Sequence, residues 1–260
     1  MTPAPGGAGI TINGMNVPRE KAIVILHFGH SNMEGKGEDP ASLRPYFYTK
    51  VPRLWQYKGN NTFAEAVEPL ARRSGTQAGP GMALLKAALA SAPSDYHFIS
   101  IGRGVGSATS VDWSKGGLHY GTFVDMAKQL KGKVTFGAAA IMLGITERHL
   151  PASQQNAFPD RLAKIVADLR ADLETPDLPI VHTDYEVEST GEFAPTGAVA
   201  TKFTPMIRSL PSKVQRLEIV PTDGTGMEDD HHFNLEGHKL WADRAIKIVL
   251  DKGWNVWTKM

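Results

Sequence analysis

The sequence predicts an α/β fold, a three-layer α/β/α sandwich around a central, mostly parallel sheet. Two observations carry this. Short apolar runs bounded by glycine and polar residues recur along the 260 residues, and they read as buried strands. Between them lie longer segments whose apolar residues repeat at three- and four-residue steps, the alternation that wraps helices around a parallel sheet. At this length and with 42% hydrophobic residues, one domain over residues 21–260 is expected.

In chain order, residues 1–20 open with the Pro/Gly-rich TPAPGGAG and read as a flexible lead. The first strand is Ala22–Phe28 (AIVILHF). Lys58–Gly81 has loop composition at both ends and is expected to lie over one face of the sheet. A helix over GMALLKAALASA precedes the second strand, Tyr96–Gly102, which runs into the loop GRGVGSATSVDW (Gly102–Trp113). The third strand, Lys133–Gly144, runs into GITER (Gly144–Arg148). The helix FPDRLAKIVADLRADLE follows, with Pro159 near its start and Leu162, Ile165, Val166 and Leu169 on one stripe. Leu178–Tyr185 and Gln215–Val220 supply two more strands, and NLEGHKLWADRAIKIVLDKG closes the fold as a helix with Gly253 at its C-terminal end. Ligands of open parallel sheets bind at the carboxyl ends of the strands, where Ser31, the Gly102–Trp113 loop and GITER all fall.

Charge and cysteine content exclude several classes. Lys and Arg number 28 against 27 Asp and Glu, a net charge of +1, with the basic residues scattered, so no nucleic-acid partner is expected. No apolar run approaches the length of a membrane span. Zero cysteines exclude disulfides, thiolate metal sites and cysteine nucleophiles. No intact signal peptide is visible at the N-terminus. An extracellular or periplasmic location after signal removal is the expectation, with a cytoplasmic one left open, as is the oligomeric state.

The stretch FGHSNMEGKG (Phe28–Gly37) places Ser31 just after the first strand. A serine hydroxyl is a weak nucleophile unless a histidine takes its proton and an acid orients that histidine. The G-x-S-x-G elbow of α/β-hydrolases is absent, and Ser31 with Glu34 also fits an S-x-x-E capping box. Near the other end, MEDDHHFNLEGHKLWADR (Met227–Arg244) sets Asp229 and His232 three residues apart before the last helix. That spacing can bring carboxylate and imidazole together at one turn; helix capping with Asn234 as N-cap accounts for it equally.

Taken together, the two ends resemble the SGNH hydrolase superfamily, in its carbohydrate-esterase branch of sialate O-acetylesterase-like and acetyl xylan esterase-like proteins. FGHSNMEG is similar to a first block usually written GQSNM, DDHHFNLEGH to the last block, VGSATSVDW to a GGTSIxxW segment, and IMLGITE stands where QGESD is usual. The resemblance implies Ser31 as nucleophile, His232 as general base and acid, and Asp229 as the residue orienting His232. It implies an oxyanion hole from the backbone N–H groups of Ser31 and Gly106 and a polar group of the third block, here Thr146. Three departures stand out. His30 replaces glutamine, Ser107 replaces a glycine, and Ile145-Thr146 stand where a donor side chain is usual.

His30, Trp113 and Glu147 are expected to contact substrate, although a tryptophan after a strand packs in the core as often. Asp229, Asp230, His231, His232 and His238 are close in sequence, but no spaced ligand set such as H-E-x-x-H is present. No catalytic metal and no cofactor are expected, and His231 and His238 are expected to be exposed. GRGVG does not complete G-x-G-x-x-G, since Ser107 stands at the last position. The expected function is a serine esterase that removes a small acyl group, acetyl above all, from a carbohydrate hydroxyl of a small molecule or polysaccharide. The alternatives are a lipase- or thioesterase-like hydrolase of longer acyl chains and a carbohydrate-binding protein without turnover.

Overall fold

The computed structural model describes residues 9–35, 42–71, 77–184, 204–229 and 231–258. Among these the chain runs through β1 (Ile10–Ile12), β2 (Met15–Val17), β3 (Ala22–Gly29), α1 (Ser31–Glu34), α2 (Arg44–Tyr48), β4 (Leu54–Gly59), β5 (Thr62–Glu65) and α3 (Gly81–Ala90). It continues through β6 (His97–Gly104), α4 (Tyr120–Lys128), β7 (Thr135–Met142), α5 (Ala152–Asn156), α6 (Phe158–Leu173), β8 (Ile180–Thr183), α7 (Leu210–Lys213), β9 (Leu217–Val220) and α8 (Leu235–Asp251). Seven strands form one sheet in the order β5-β4-β6-β3-β7-β8-β9. The β4/β5 pair is antiparallel and the other neighbours are parallel.

β3 is buried along its whole length, and its alternation divides the core in two. Val24, Leu26 and Phe28 join the cluster that includes Phe123 and Val124 of α4 and Leu162, Ile165 and Val166 of α6. Ile23 and Ile25 join the opposite cluster with Met82 and Leu85 of α3 and Trp241, Ala242 and Ile246 of α8. Two apolar clusters on the two faces of one sheet make the three-layer α/β/α arrangement. Among the described residues no helix is long and apolar enough to cross a membrane.

Three segments depart from the expected order. The described part of the N-terminal lead holds a hairpin, β1 paired with β2, turned by Asn13 and Gly14 at φ 48° and 83°; Asn-Gly is the strongest short hairpin signal. Ile10, Ile12 and Val17 bury in the core, so this stretch is anchored. Second, the segment expected to cover a face does so with Ala66, Leu70, Ala71 and Ala78, which pack in the α3/α8 cluster, but its start also builds an edge. β4 and β5 form a hairpin around Asn60 and Asn61, both at positive φ, and extend the sheet beyond β6. Third, α4 was not anticipated, because only Tyr120, Phe123, Val124 and Ala127 carry its buried stripe. Tyr185, the end of one expected strand, lies outside the described residues.

The sheet order creates one switch point. β6 flanks β3 on one side and β7 on the other, with Gly29 level with Gly104 and Met142. Loops leaving β6 and β7 therefore diverge around the carboxyl end of β3, the place where open α/β sheets form their ligand crevice.

Candidate active site

At the end of β3 the chain passes hard against β7. A Cβ on Gly29 would stand 2.1 Å from the Met142 carbonyl oxygen, so the position requires glycine. The His30 N–H donates to that same carbonyl at 3.0 Å, and the chain turns into α1. His30 is the N-cap: its ring Nδ1 accepts the Asn32 N–H at 3.2 Å. Ser31 is therefore inside the helix rather than capping it, and its hydroxyl is available for other work.

That hydroxyl meets His232. Ser31 Oγ lies 2.8 Å from His232 Nε2, and His232 Nδ1 lies 2.6 Å from Asp229 Oδ2. Asp229 Oδ1 accepts the N–H groups of His231 and His232 at 2.9 and 2.7 Å. Partial burial opposes ionisation of Asp229, but the His232 ring and these two amides outweigh it and hold the carboxyl down at about 2. An ionised carboxylate beside Nδ1 keeps the ring proton there and leaves the Nε2 lone pair facing Ser31. Asp230 lies outside the described residues.

Asn32 joins the two halves of this relay, and sequence reasoning missed it. Its amide nitrogen donates to the His231 carbonyl at 2.7 Å and its amide oxygen accepts the Phe233 N–H at 2.9 Å. The residue is fully buried. The available signal was a polar amide in the middle of a buried turn, where an apolar residue would be cheaper unless both of its ends were used.

A cavity of about 300 Å³ opens over Ser31, lined by Gly106, Ser107, Ile145, Thr146, His149, His231 and His232. Gly106 and Thr146, the two expected oxyanion positions, thus face the same space as Ser31. Ser107 adopts φ 59°, the left-handed conformation for which a glycine is usual. His149 was not singled out beforehand; it ends the single turn Ile145–His149 that follows Gly144, which places it beside Ile145 and Thr146 in the cavity wall.

The three expected substrate contacts lie elsewhere, and none lines this cavity. His30 is fully buried as the α1 cap. Trp113 is fully buried against Phe28 and Phe123, with ring centroids 4.8 and 5.8 Å away, because the loop after β6 folds back onto the sheet. Glu147 is also fully buried. Its carboxylate accepts the Ser110 N–H, and the Ser110 hydroxyl accepts from Arg161 at 3.0 Å. Burial raises the Glu147 carboxyl above the usual range despite these hydrogen bonds. Glu147 is thus a strut between the two loops that wall the cavity. His238 is buried too, its ring against Phe233, and burial pushes it down to about 3.

The family model for carbohydrate esterases, sialic acid-specific acetylesterases, matches residues 20–250. The chain belongs to this family. It is a carboxylic ester hydrolase of the carbohydrate-esterase class, and the resemblance seen in its first and last motifs is borne out. No curated protein matches it significantly. Among solved structures, an Arabidopsis thaliana protein is similar with a TM-score of 0.71 at 19% identity, covering 90% of this chain and 99% of that one. A carbohydrate acetylesterase from Xanthomonas citri aligns with a TM-score of 0.61 at 13% identity, covering 87% and 55%. A mutant of Axe2, an acetyl-xylooligosaccharide esterase from Geobacillus, aligns with a TM-score of 0.53 at 13% identity, covering 98% and 99%. These identities bear on the fold, and the fold agrees.

Proposed function

We propose that this esterase removes an acetyl group from a carbohydrate hydroxyl through an acyl-enzyme on Ser31. The observation that carries the reading is the unbroken relay from Ser31 Oγ to His232 Nε2 and from His232 Nδ1 to Asp229. His232 takes the hydroxyl proton as Ser31 attacks the ester carbonyl, and returns it to the departing sugar oxygen. Water then repeats the sequence on the acyl-enzyme. The N–H groups of Ser31 and Gly106 and the Thr146 side chain face the developing oxyanion, each such donor contributing about 3 kcal/mol.

The cavity favours a small acyl group. Among the described residues that line it only Ile145 is a large apolar side chain, so these residues offer no greasy channel for a long chain. The neighbours named as a carbohydrate acetylesterase and an acetyl-xylooligosaccharide esterase support acetyl and sugar together. The test is turnover of aryl acetate against butyrate and octanoate esters, with Ser31→Ala and His232→Ala alongside. Acetate is the preferred ester, and each variant loses at least about 10³-fold in kcat while remaining folded, since members of one catalytic unit fail together. A folded, active Ser31→Ala enzyme overturns the reading.

A further inference from the structure

Asp229 serves two imidazoles, and only one of them belongs to the relay. Its Oδ2 meets His232 Nδ1 at 2.6 Å, while its Oδ1 lies 3.4 Å from His231 Nδ1. The two rings stand 3.9 Å apart, tilted by 43°. One ligand atom from each of the three residues lies within 4.8 Å of the others. Nitrogen and oxygen donors on one tetrahedral zinc stand about 3.3 Å apart, so small movements of a half-exposed carboxylate and two rings bring this set to a cation. We propose that Asp229, His231 and His232 form an inhibitory site for a zinc-like divalent cation.

The inference rests on the serine relay, because the inhibition works through it. A cation on His232 Nδ1 takes the lone pair that the ring proton covers. The proton moves to Nε2, with no net gain or loss by the ring, and Nε2 becomes a donor towards Ser31 Oγ. A ring that donates to the hydroxyl does not accept its proton, so the nucleophile stays unactivated. At the same time Asp229 exchanges its hydrogen bond to Nδ1 for the cation. Two imidazoles and one carboxylate select zinc, copper or nickel over magnesium and calcium, which prefer oxygen ligands. His231 supplies selectivity for this second role, since the relay itself needs only His232.

The test is calorimetric titration of EDTA-treated enzyme with zinc chloride, paired with aryl acetate turnover at each zinc level. One zinc binds per chain, turnover falls in step with occupancy, EDTA restores it, and magnesium does neither. His231→Asn, measured against its own zinc-free rate, weakens zinc binding and raises the half-inhibiting concentration by at least about 10-fold, the smallest loss seen when even an outer partner of a ligand is removed. Ser31→Ala, though inactive, binds zinc as the wild type does. Absence of zinc binding, or equal inhibition of wild type and His231→Asn, overturns the proposal and leaves the serine mechanism standing. Turnover that requires zinc overturns the serine mechanism and the inhibitory site together. If no ester is hydrolysed, the calorimetric comparison of wild type with His231→Asn still decides the site.

Discussion

Ser31 and His232 touch, yet they are held by opposite means. Ser31 rides on a shelf: β3 is wholly buried, Gly29 is pressed onto β7, and Ser31, Asn32 and Met33 are buried behind it. His232 hangs from a surface turn closed by a bridge between Met227 and Phe233 and by the Glu228 N–H to the His232 carbonyl, with the Asp229 side chain 43% exposed. The shelf draws its rigidity from apolar packing, which is costly to disturb and slow to change. The turn is pinned at its ends by Met227 and buried Phe233, but between them Asp229 and His232 draw their position from a few polar bonds, chiefly those of Asn32 and Asp229. The nucleophile is thus placed by the fold and the base by a clasp, and the clasp is where single substitutions act on chemistry without unfolding the protein.

The severest way to loosen the clasp short of removing the base is Asp229→Asn. It lowers kcat by more than about 10²-fold but less than loss of His232, by disfavouring the productive tautomer and the imidazolium. The wild-type pH profile sharpens this point. Asp229, held at about 2, stays ionised, and burial keeps His27 and His238 down at about 3 and His182 at about 4. Above pH 5 none of these four changes charge, so none of them supplies the rise of kcat/KM with pH that a neutral His232 base requires. A kcat/KM that stays flat as pH rises through the ordinary histidine range, about 6.5, breaks the assignment.

Asn32→Ala comes next. It strips the partner from the His231 carbonyl and the Phe233 N–H, which lowers stability by about 2 kcal/mol in chemical denaturation. The misplaced His232 lowers kcat by between about 10- and 100-fold with little change in KM. Unchanged kcat would mean that Asp229 alone sets the turn.

Glu147→Leu is milder. Loss of the strut lets the Gly106 and Thr146 walls drift and costs about tenfold in kcat, less than losing an oxyanion donor outright. Glu147→Gln keeps an acceptor for the Ser110 N–H and recovers most of the rate, a rescue that simple cavity formation does not produce. The smallest effect is in Ser107→Gly, which removes left-handed strain at a position with φ 59° and raises stability by a net of about 0.5–1 kcal/mol. A lower melting temperature would show that the Ser107 hydroxyl contributes more than the strain costs.

The shelf was far more legible in the sequence than the clasp. β3, β6 and β7 announce themselves because burial on both faces leaves nearly unbroken apolar runs, and α6 and α8 because their stripes are long. Ser31, Asp229 and His232 were legible through motifs at the two ends, and the structure brings them into one chain of hydrogen bonds. Asn32 was not, since its value depends on contacts 199 and 201 residues away that no local pattern encodes. His30, Trp113 and Glu147 were misplaced for the same reason: a side chain beside a motif faces the ligand or the interior according to how distant segments pack. The β4/β5 edge was hidden by polar turn residues whose left-handed conformations mark a hairpin only once the strands on either side are seen.

The 201-residue separation of Ser31 and His232 also sets a clock. On a ribosome adding about 5–20 residues per second, it represents about 10–40 s of synthesis. Throughout that interval the nascent chain carries an ordinary alcohol where the finished enzyme carries a nucleophile, and it spends no esters of its host. Refolding obeys the same order: helices and the central strands can form early, but hydrolysis begins only after the last segments dock. Regained activity therefore reports completion rather than progress, and it does not run ahead of the spectroscopic signals of secondary structure.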